Sequence, residues 1–389
     1  MTKNISIIGI GRLGICVGLC LEFVGYNVLG VDINNSYVNS INNKTLKSGE
    51  PSVENMLKVS KNFRATTDID EALKFSDIIF IYVATPSSGG DKHYDHTMLG
   101  NVLMKINERK AVNKHIVIGC TVIPGYVRDV GNYLISDCVN TTLSYNPEFI
   151  AQGNIINGVF YPDFVLIGEG SKEAGDYLEE MYTNIFKNSP RVKDSVFGLT
   201  SIPKFCRMSP SSAEITKLSV NCFITTKIAF ANMIGDLADI TPGANKNDIL
   251  KAVGSDARIG SKYIMPGYPF GGPCFPRDNR ALGSYISQMG IDPLIPNATD
   301  KSNKDHTIFQ AKNVLRQLTQ NNISEYIIIG AGYKEPCTVP IIEESGKLKI
   351  GKFLAENGIK ITVRDIKSLI DATKLEYGNL FIYEIVESL

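Results

Sequence analysis

The sequence lacks any charge imbalance. Its 389 residues carry 40 Lys and Arg against 40 Asp and Glu, so the formal net charge is zero at pH 7. Nucleic acids and anionic membrane surfaces attract proteins largely through an excess of positive charge. We therefore expect neither as a partner, and any anionic ligand must be bound by local groups.

Long apolar runs are also missing. No stretch of 18 consecutive apolar residues occurs, although a membrane-spanning helix needs about that length. The N-terminus, MTKNISIIGIG, enters a strand pattern at once, without the charged and apolar regions of a signal peptide. We expect a cytoplasmic protein.

The cysteines lack a regular spacing and any CxxC pair, so neither a zinc site nor a disulfide framework is predicted. We expect no metal, and reduced thiols fit a cytosol-like compartment. The eight cysteines lie at positions 16, 20, 120, 138, 206, 222, 274 and 337.

A glycine-rich turn near the N-terminus is the first motif present. Gly9, Gly11 and Gly14 stand between a β-branched strand pattern and an apolar helix pattern, and a second strand pattern ends at Asp32. In this βαβ setting, the spacing is typical of a Rossmann domain, where backbone amides meet a pyrophosphate and the carboxylate meets the ribose. Because Asp32 would repel a 2′-phosphate, we predict NAD rather than NADP. A Rossmann-like domain that binds nothing is the alternative.

Further strand patterns alternate with helical patterns, as a mainly parallel, doubly wound sheet requires. They cover residues 76–86, 114–125, 141–149 and 163–168. Thr85, Thr121 and Glu148 fall at the ends of three of these strands, where such sheets bind ligands. A strand-ending turn explains each one alone. All three at one sheet edge, beside a dinucleotide motif, indicate a site.

Residues 209–240 predict one long helix. The segment opens with a capping box from Ser211 to Glu214 and continues without a helix breaker to Ile240. Lys217 and Asn221 are four residues apart and share a face among largely apolar neighbours. A helix of this kind suits a dimer interface with a polar stripe turned to a site; a solvated stripe is the alternative.

The C-terminal third repeats the N-terminal plan in looser form, with strand patterns at 324–336 and 359–365 and a helical pattern between them. The expected fold class is α/β, with two Rossmann-like doubly wound domains joined by a long central helix and a helical dimerisation region. We divide the chain into a Rossmann domain (1–208), a central helical domain (209–310) and a short second Rossmann-like domain (311–389).

One further stretch, PGYPFGGPCFPRDNRAL at 266–282, surrounds Cys274 with prolines and glycines. Their density predicts neither a long helix nor a regular strand. Taken alone, Cys274 fits a buried, inert cysteine better than a reactive one.

The glycine fingerprint, NPEF at 146–149, the helix with Lys217 and Asn221, and GGPCFPRD at 271–278 occur together in this order. The chain thereby resembles the UDP-glucose/GDP-mannose dehydrogenase family over nearly its whole length. The resemblance implies an NAD-dependent, four-electron oxidation of a nucleotide sugar's C6 alcohol to a carboxylate. UDP-glucose, which would give UDP-glucuronate, is the expected substrate, and GDP-mannose is the nearest alternative. CFPRD argues against the branch that acts on N-acetylmannosamine nucleotides, whose motif resembles HCIPVD.

The resemblance also implies roles. Cys274 would carry the sugar as a thiohemiacetal and then as a thioester. Oxyanion stabilisation would fall to Lys217 and Asn221, a water or proton-transfer network to Asp278 and Thr121, and acid/base catalysis of thioester hydrolysis to Glu148. The cofactor site would comprise Gly9, Gly11, Arg12, Leu13, Gly14, Asp32, Thr85, Thr121, Glu148 and Arg277. The substrate site would comprise Phe149, Lys217, Asn221, Arg258, Tyr263, Gly267, Gly271 and Lys334, with Arg258 reaching the partner's site in a homodimer.

Four departures from the family pattern bear on the substrate. Arg277 replaces the usual Lys, and Phe164 replaces a common Arg. The third departure puts Ile150, Ala151 and Gln152 where Leu, Arg and Glu are usual. The fourth is the segment 334–345, which has glutamates and lacks the usual Asp, Asp, Arg pattern. A two-electron β-hydroxyacid dehydrogenase and a non-catalytic binding protein descended from such an enzyme remain alternatives.

Overall fold

The structure is a computed structural model that describes residues 3–86, 94–150, 152–193, 202–335, 337 and 339–387. The chain divides into two units, and among the described residues the boundary falls between Lys217 and Leu218. The three-part division expected from the sequence stays a prediction. Ala151, Pro336 and Thr338, which belong to the departures above, lie outside the described residues.

The first unit contains an eight-stranded sheet in the order β3-β2-β1-β4-β5-β6-β7-β8. All neighbouring strands are parallel except β6 and β7, which pair antiparallel at Tyr145 and Gly168. The mainly parallel, doubly wound sheet is therefore confirmed. The strands are β1 (Asn4–Ile8), β2 (Asn27–Val31), β3 (Phe63–Thr66), β4 (Ile78–Ile81), β5 (His115–Ile118), β6 (Thr142–Tyr145), β7 (Phe164–Gly168) and β8 (Lys204–Met208).

Helices cover both faces of this sheet. Ile5 and Ile7 of β1 point to the core cluster that includes α1, whereas Ile8 points to the cluster on the opposite face. The helices are α1 (Arg12–Phe23), α2 (Asn35–Asn42), α3 (Val53–Val59), α4 (Ile69–Phe75), α5 (Thr97–Glu108), α6 (Asn132–Leu134, preceded by a π-helical turn at Tyr126–Gly131), α7 (Ile155–Phe160), α8 (Lys172–Lys187) and α9 (Pro190–Lys193).

The predicted long helix is confirmed as α10 (Pro210–Ile240). Its predicted capping box is wrong: the amide of Ser212 donates to Ser209 Oγ at 3.3 Å, and Glu214 is fully buried and binds elsewhere. Among the described residues, α10 is also the one helix long and apolar enough to cross a bilayer. Several of its polar side chains bind other elements of the protein, as described below, and this is typical of a packed central helix.

The second unit contains a three-stranded parallel sheet in the order β11-β10-β9, which agrees with the expected second Rossmann-like plan. Its elements after α10 are α11 (Lys246–Ser255), α12 (Phe275–Gln288), α13 (Leu294–Gln320), β9 (Glu325–Ile329), α14 (Gly346–Glu356), β10 (Lys360–Asp365), α15 (Lys367–Tyr377) and β11 (Ile382–Ile385).

Part of the expectation for residues 266–282 is wrong, because a regular helix, α12, begins at Phe275 and runs for 14 residues. Pro276 lies in its first turn, where a missing N–H costs no hydrogen bond, so this proline starts the helix rather than breaking it. Cys274 therefore stands at the N-cap of a helix.

Ser52 precedes α3 with a φ of +70°, in the left-handed region, and its side chain makes no capping hydrogen bond. An L side chain in this region costs about 1 kcal/mol or more, which glycine avoids at a smaller entropic cost. We expect Ser52→Gly to raise the free energy of unfolding by up to about 1 kcal/mol. Ser136→Gly, at an exposed serine outside the positive-φ set, is the matched control and should lower it or leave it unchanged. Chemical denaturation measures both, and equal effects would contradict the prediction.

Candidate active site

The glycine fingerprint forms the turn from β1 into α1. Gly9 has a φ of +91°, and a Cβ there would lie 2.8 Å from the backbone of Tyr82. A Cβ at Gly14 would collide with the carbonyl oxygen of Gly9. At Gly11 the same test finds no atom of the described residues within 4 Å. Packing therefore requires Gly9 and Gly14, whereas Gly11 leaves open space at the helix N-terminus, where a pyrophosphate fits.

Asp32 directly follows β2 and is half-buried, and its Oδ1 accepts a hydrogen bond from the amide of Asn34 at 3.0 Å. Tyr37 of α2 donates its hydroxyl to the carbonyl of Ile10 at 2.9 Å and so fixes α2 to the fingerprint turn. Burial, reinforced by the negative charge of Asp32, raises the pKa of Tyr37 to about 12. This phenol stays a donor at physiological pH, and Asp32 is held where a ribose would lie.

The segment after Glu148 is tied back to the fingerprint. Arg12, in the first turn of α1, donates to Gln152, one of the residues that departs from the family pattern. Both carboxylate oxygens of Glu50, a buried residue, accept from the amide of Gly153 at 2.8 and 2.9 Å. Leu13 packs against the sheet core. Gln152 thus has a structural contact, a hydrogen bond with the predicted cofactor residue Arg12.

Glu148 follows β6 and meets the hydroxyl of Tyr182 from α8, at 2.9 Å from Oε1. The same hydroxyl lies 2.8 Å from Asn146 Oδ1, and Asn146 Nδ2 donates to the carbonyl of Leu166. The single phenolic hydrogen of Tyr182 thus faces two acceptors, Asn146 Oδ1 and Glu148 Oε1. Burial raises the pKa of Glu148, against the opposing effects of the Tyr182 hydrogen bond and the positive charge of Lys217. The arrangement suits an acid/base carboxyl.

Lys217 is buried, with 6% of its surface exposed, so a solvated stripe is ruled out for this residue. Its Nζ donates to the carbonyl oxygen of Glu148 at 2.6 Å and lies 4.4 Å from the centroid of the Phe149 ring. Phe164 packs on the same ring at a centroid distance of 4.8 Å. The phenylalanine that departs from the family pattern therefore backs the ring that holds the Lys217 ammonium by a cation–π contact.

Thr85 is buried in the segment after β4, and Thr121 is half-buried three residues after β5.

The turn that follows Thr121 is held by Glu214 of α10, whose carboxylate accepts from the amides of Gly125 at 2.5 Å and Val127 at 2.8 Å. Burial raises the pKa of Glu214 to about 7, although these two amides oppose the shift. Among nearby charges, Asp129 adds to the shift and Arg128 opposes it.

Glu214 makes stability depend on pH. Its pKa in the folded protein, about 7, lies above its ordinary value of 4.5, so folding favours the protonated form. This stabilisation is complete below about pH 4.5 and is lost as the pH rises through 7, a change of up to about 3 kcal/mol. We expect Glu214→Gln to lack this change, so that between pH 5 and 8 the variant gains stability relative to the wild type. Thermal unfolding at both pH values measures it, with Glu173→Gln, an exposed residue of the same unit, as control. Parallel pH curves for wild type and Glu214→Gln would contradict the assignment.

In the second unit, Cys274 is half-buried at the N-cap of α12, and its carbonyl accepts from the amide of Asp278 at 2.8 Å. The partial positive charge of a helix N-terminus stabilises a thiolate. Burial has the opposite effect on other thiols of the chain. It raises the pKa of Cys120 to about 12 and that of Cys222 further. Position and exposure thus distinguish Cys274 from these buried cysteines.

Asp278 has only 1% of its surface exposed. Asn221 Nδ2 donates to its Oδ2 at 2.6 Å, and Arg277 Nε lies 3.4 Å from its Oδ1. The thiol of Cys222 meets the carbonyl oxygen of the same residue at 3.4 Å. Asn221 is therefore buried against the catalytic candidate Asp278 rather than solvated.

The glycines before Cys274 are explained largely by packing. A Cβ at Gly271 would collide with the carbonyl oxygen of Glu344, and one at Gly272, where φ is +83°, with the Tyr333 ring. At Gly267 no atom of the described residues lies within 4 Å of such a Cβ. Packing among the described residues thus accounts for Gly271 and Gly272 but not for Gly267, and substrate contacts at Gly267 and Gly271 stay predictions.

The remaining substrate candidates are more exposed. Arg258 has 88% of its side chain exposed and pairs with Asp256 at 2.6 Å. Tyr263 is exposed, with its ring edge-on to Phe275 at 6.5 Å between centroids. Lys334 Nζ lies 5.8 Å from the centroid of the neighbouring Tyr333 ring. No described contact joins these three residues to one another, and their substrate contacts stay predictions.

The glutamates of the segment 334–345 have a structural role. Glu344 pairs with Arg280 of α12 at 2.8 Å and with Lys349 of α14 at 3.1 Å. Arg277 of α12 acts electrostatically on Glu343, where it opposes the burial that raises the pKa of this carboxyl. The segment that departs from the family pattern thus fixes α12, the helix that Cys274 caps.

The structure therefore assembles the candidates into two groups, one in each unit. Glu148, Phe149 and Lys217 lie together in the first. In the second, Asn221 of α10 and Arg277 each contact Asp278, on the helix that Cys274 caps. Lys217 and Asn221 lie one turn apart on α10. Sequence reasoning missed Glu50, Tyr182 and Asn146. Their only signals were a glutamate in a Gly-Glu-Pro turn, a tyrosine on an amphipathic helix and the asparagine of NPEF.

The chain matches known proteins over most of its length. Residues 3–186 match the NAD-binding domain, and residues 211–305 the central domain, of the UDP-glucose/GDP-mannose dehydrogenase family. Over 97% of its length the chain is 31% identical to a UDP-glucose 6-dehydrogenase of Rickettsia conorii, of which it covers 84%. The chain belongs to the UDP-glucose/GDP-mannose dehydrogenase family.

Two further comparisons indicate how far this family membership defines the activity and the substrate. A GDP-mannose 6-dehydrogenase of Pseudomonas syringae is 29% identical, with 93% of this chain and 80% of that protein covered. The structure of a UDP-glucose dehydrogenase from Pyrobaculum islandicum matches with a TM-score of 0.84 at 24% identity, covering 99% of this chain and 87% of that one. The protein is thus an oxidoreductase of the nucleotide-sugar dehydrogenase family, and its first unit carries the family's NAD-binding domain. Identity of this size does not distinguish between the two sugar nucleotides.

Proposed function

We propose that this protein oxidises the C6 alcohol of UDP-glucose to the carboxylate of UDP-glucuronate, with NAD as the hydride acceptor. The observation that carries the proposal is Cys274 at the N-terminus of α12, four residues before the buried Asp278, which is hydrogen-bonded to Asn221. A thiol so placed serves an oxidation that passes through a covalent sugar–enzyme intermediate. GDP-mannose is the alternative substrate, because relatives with either activity match the chain to a similar degree.

The proposed chemistry balances in three steps. The alcohol first loses a hydride from C6 and a proton from oxygen, and the Cys274 thiolate then bonds to the aldehyde carbon. A second hydride leaves C6 of the thiohemiacetal and gives a thioester. Water adds to this carbon, the C–S bond breaks, and the carboxylate leaves with the thiolate restored. One alcohol, two NAD⁺ and one water thus give one carboxylate, two NADH and three protons.

Several described contacts support the remaining roles. The Lys217 ammonium, held by the Glu148 carbonyl and the Phe149 ring, is desolvated and can stabilise an oxyanion together with Asn221. The raised pKa of Glu148 suits a group that exchanges a proton with water during thioester hydrolysis. Thr121 and Asp278 would organise that water.

The decisive test is the NADH yield from a panel of UDP-, GDP- and TDP-sugars. UDP-glucose should give two NADH for each sugar acid formed. One NADH per turnover would instead indicate a two-electron β-hydroxyacid dehydrogenase. NAD binding measured by calorimetry, with no turnover of any sugar, would indicate a non-catalytic binding protein.

Cys274→Ser should abolish steady-state turnover while nucleotide-sugar binding is retained, because a hydroxyl at this position cannot readily form the thiolate-derived intermediate. Cys138→Ser, at a half-buried cysteine outside every predicted site, is the matched control and should keep wild-type activity. NADH release followed at 340 nm and calorimetric titration with UDP-glucose separate the two effects. Full activity of Cys274→Ser would refute the covalent mechanism.

We further propose that the enzyme is a cytoplasmic homodimer formed through α10. The eight free thiols support a reducing compartment. Exposed apolar side chains recur along α10 with helical spacing, which is typical of an interface rather than of a solvated face. They are Phe223, Phe230, Met233, Leu237 and Ile240, with 44% to 68% of their surface exposed. Arg258 would complete the partner's site.

Phe223→Asp should convert the dimer to a monomer at micromolar concentration, because it puts a charge in place of the most exposed residue of the apolar stripe. Phe23→Asp, at an exposed phenylalanine of α1, is the matched control and should leave the dimer intact. Sedimentation velocity measures both. A wild-type monomer, or a dimer that survives Phe223→Asp, would contradict this assignment.

A further inference from the structure

The loop at residues 266–272, which precedes Cys274, has its main chain hydrogen-bonded by side chains of two helices. Asn232, a buried residue of α10, accepts from the amide of Gly267 at 2.9 Å and donates to the carbonyl of Tyr268 at 3.2 Å. One amide side chain thus satisfies two main-chain groups of the loop.

Asn303, a buried residue of α13, repeats this pattern at Phe270. Its Oδ1 accepts from the Phe270 amide at 2.8 Å, and its Nδ2 donates to the Phe270 carbonyl at 2.9 Å. Both main-chain groups of one residue are paired by one side chain, as a neighbouring strand would pair them. The loop therefore has the hydrogen bonds of a strand edge without a strand beside it.

His306, one turn further along α13, is 5% exposed and lies between two acceptors. Its Nε2 lies 2.9 Å from the carbonyl oxygen of Gly267, and its Nδ1 lies 2.8 Å from a carboxylate oxygen of Asp236. Because a carbonyl only accepts, Nε2 carries the hydrogen. Gln310 Nε2 donates to the same carbonyl at 2.9 Å. The Gly267 carbonyl is thus turned toward α13, and the open space at the Gly267 Cα stays free.

Burying three polar side chains to hold one irregular loop is costly unless every hydrogen bond is made. The result is a loop whose shape is fixed before a ligand arrives, and a preformed site binds without the entropic cost of ordering. The 266–272 loop ends two residues before Cys274, and Gly267 is its one glycine that protein packing leaves open. Because of this position and this open glycine, we expect the rigidity of the loop to affect substrate binding.

We propose that Asn232, Asn303 and His306 are positioning residues that hold the 266–272 loop in the shape that binds the nucleotide sugar. The inference rests on the proposed function, in which this loop contacts the substrate. None of the three side chains has a predicted substrate contact. They should nevertheless affect substrate affinity, and this effect is separate from the chemical step.

The test uses Asn303→Asp, which is isosteric, keeps the acceptor for the Phe270 amide and removes the donor to the Phe270 carbonyl. The KM for UDP-glucose should rise at least about tenfold. The buried Phe270 carbonyl loses its donor, and this destabilises the loop shape that binds the sugar by a free energy that corresponds to about that factor. The kcat and the KM for NAD should stay within about twofold of the wild type. Asn313→Asp, the same change on the same helix, is the matched control and should leave all three parameters unchanged. GDP-mannose replaces UDP-glucose in this test if the sugar panel identifies it as the substrate.

Amide hydrogen exchange at Gly267 and Phe270 gives a second readout that needs no substrate. Faster exchange in Asn303→Asp, together with the raised KM, supports the inference. Faster exchange with an unchanged KM would overturn it, and so would equal losses in kcat and in both KM values, which indicate general damage. A wild-type protein that oxidises none of the sugars would refute the proposed function itself, and the exchange data would then show only whether the loop is held.

Discussion

The helix α10 must bury polar groups, and much of the site depends on how it satisfies them. Several polar side chains of this largely apolar helix are buried, and four of them are each paired with a loop or with the start of a helix. Glu214 binds the turn after Thr121, Lys217 binds the Glu148 carbonyl, Asn221 binds Asp278, and Asn232 binds the loop before Cys274. A buried group without its partner costs more than an ordinary hydrogen bond gains, so each pairing fixes one position of its loop. Within each unit, the part of α10 that belongs to it thereby fixes segments that carry catalytic candidates.

Several described departures from the family pattern make internal contacts near the candidate site. Phe164 supports the ring under Lys217, and Gln152 accepts from Arg12 in the fingerprint turn. Glu344 pairs with Arg280 of the helix that Cys274 caps. These contacts hold elements of the candidate site in place. The residues predicted as acid/base group, thiol and oxyanion partners match the family pattern, whereas the departures fall on segments predicted to bind the substrate or the cofactor.

Glycine has two distinct roles near the site. Gly14 and Gly271 allow parts of the protein to approach one another, because a methyl group there would collide with a backbone carbonyl. Gly11 and Gly267 face open space, so protein packing does not account for them. The two open glycines lie in the fingerprint turn and in the loop before Cys274, the segments where a dinucleotide and a nucleotide sugar are expected. Geometry thus separates packing glycines from those available to a ligand, a distinction that sequence spacing cannot make.

The sequence by itself determined the fold class, the βαβ fingerprint, the long helix and the identity of the chemical groups. These follow from local patterns: apolar periodicity, glycine spacing and residues at strand ends. It gave the wrong cap for α10 and missed the helix after Cys274, because Ser209 and Pro276 act through local geometry that composition does not reveal. Only the tertiary structure decided that Lys217 and Asn221 are buried, that the Tyr182 hydroxyl faces both Asn146 and Glu148, and that Asn303 and His306 hold the loop before Cys274. These pairings join residues 33 to 69 positions apart, in contacts that local patterns do not encode and that desolvation of each polar group makes obligatory.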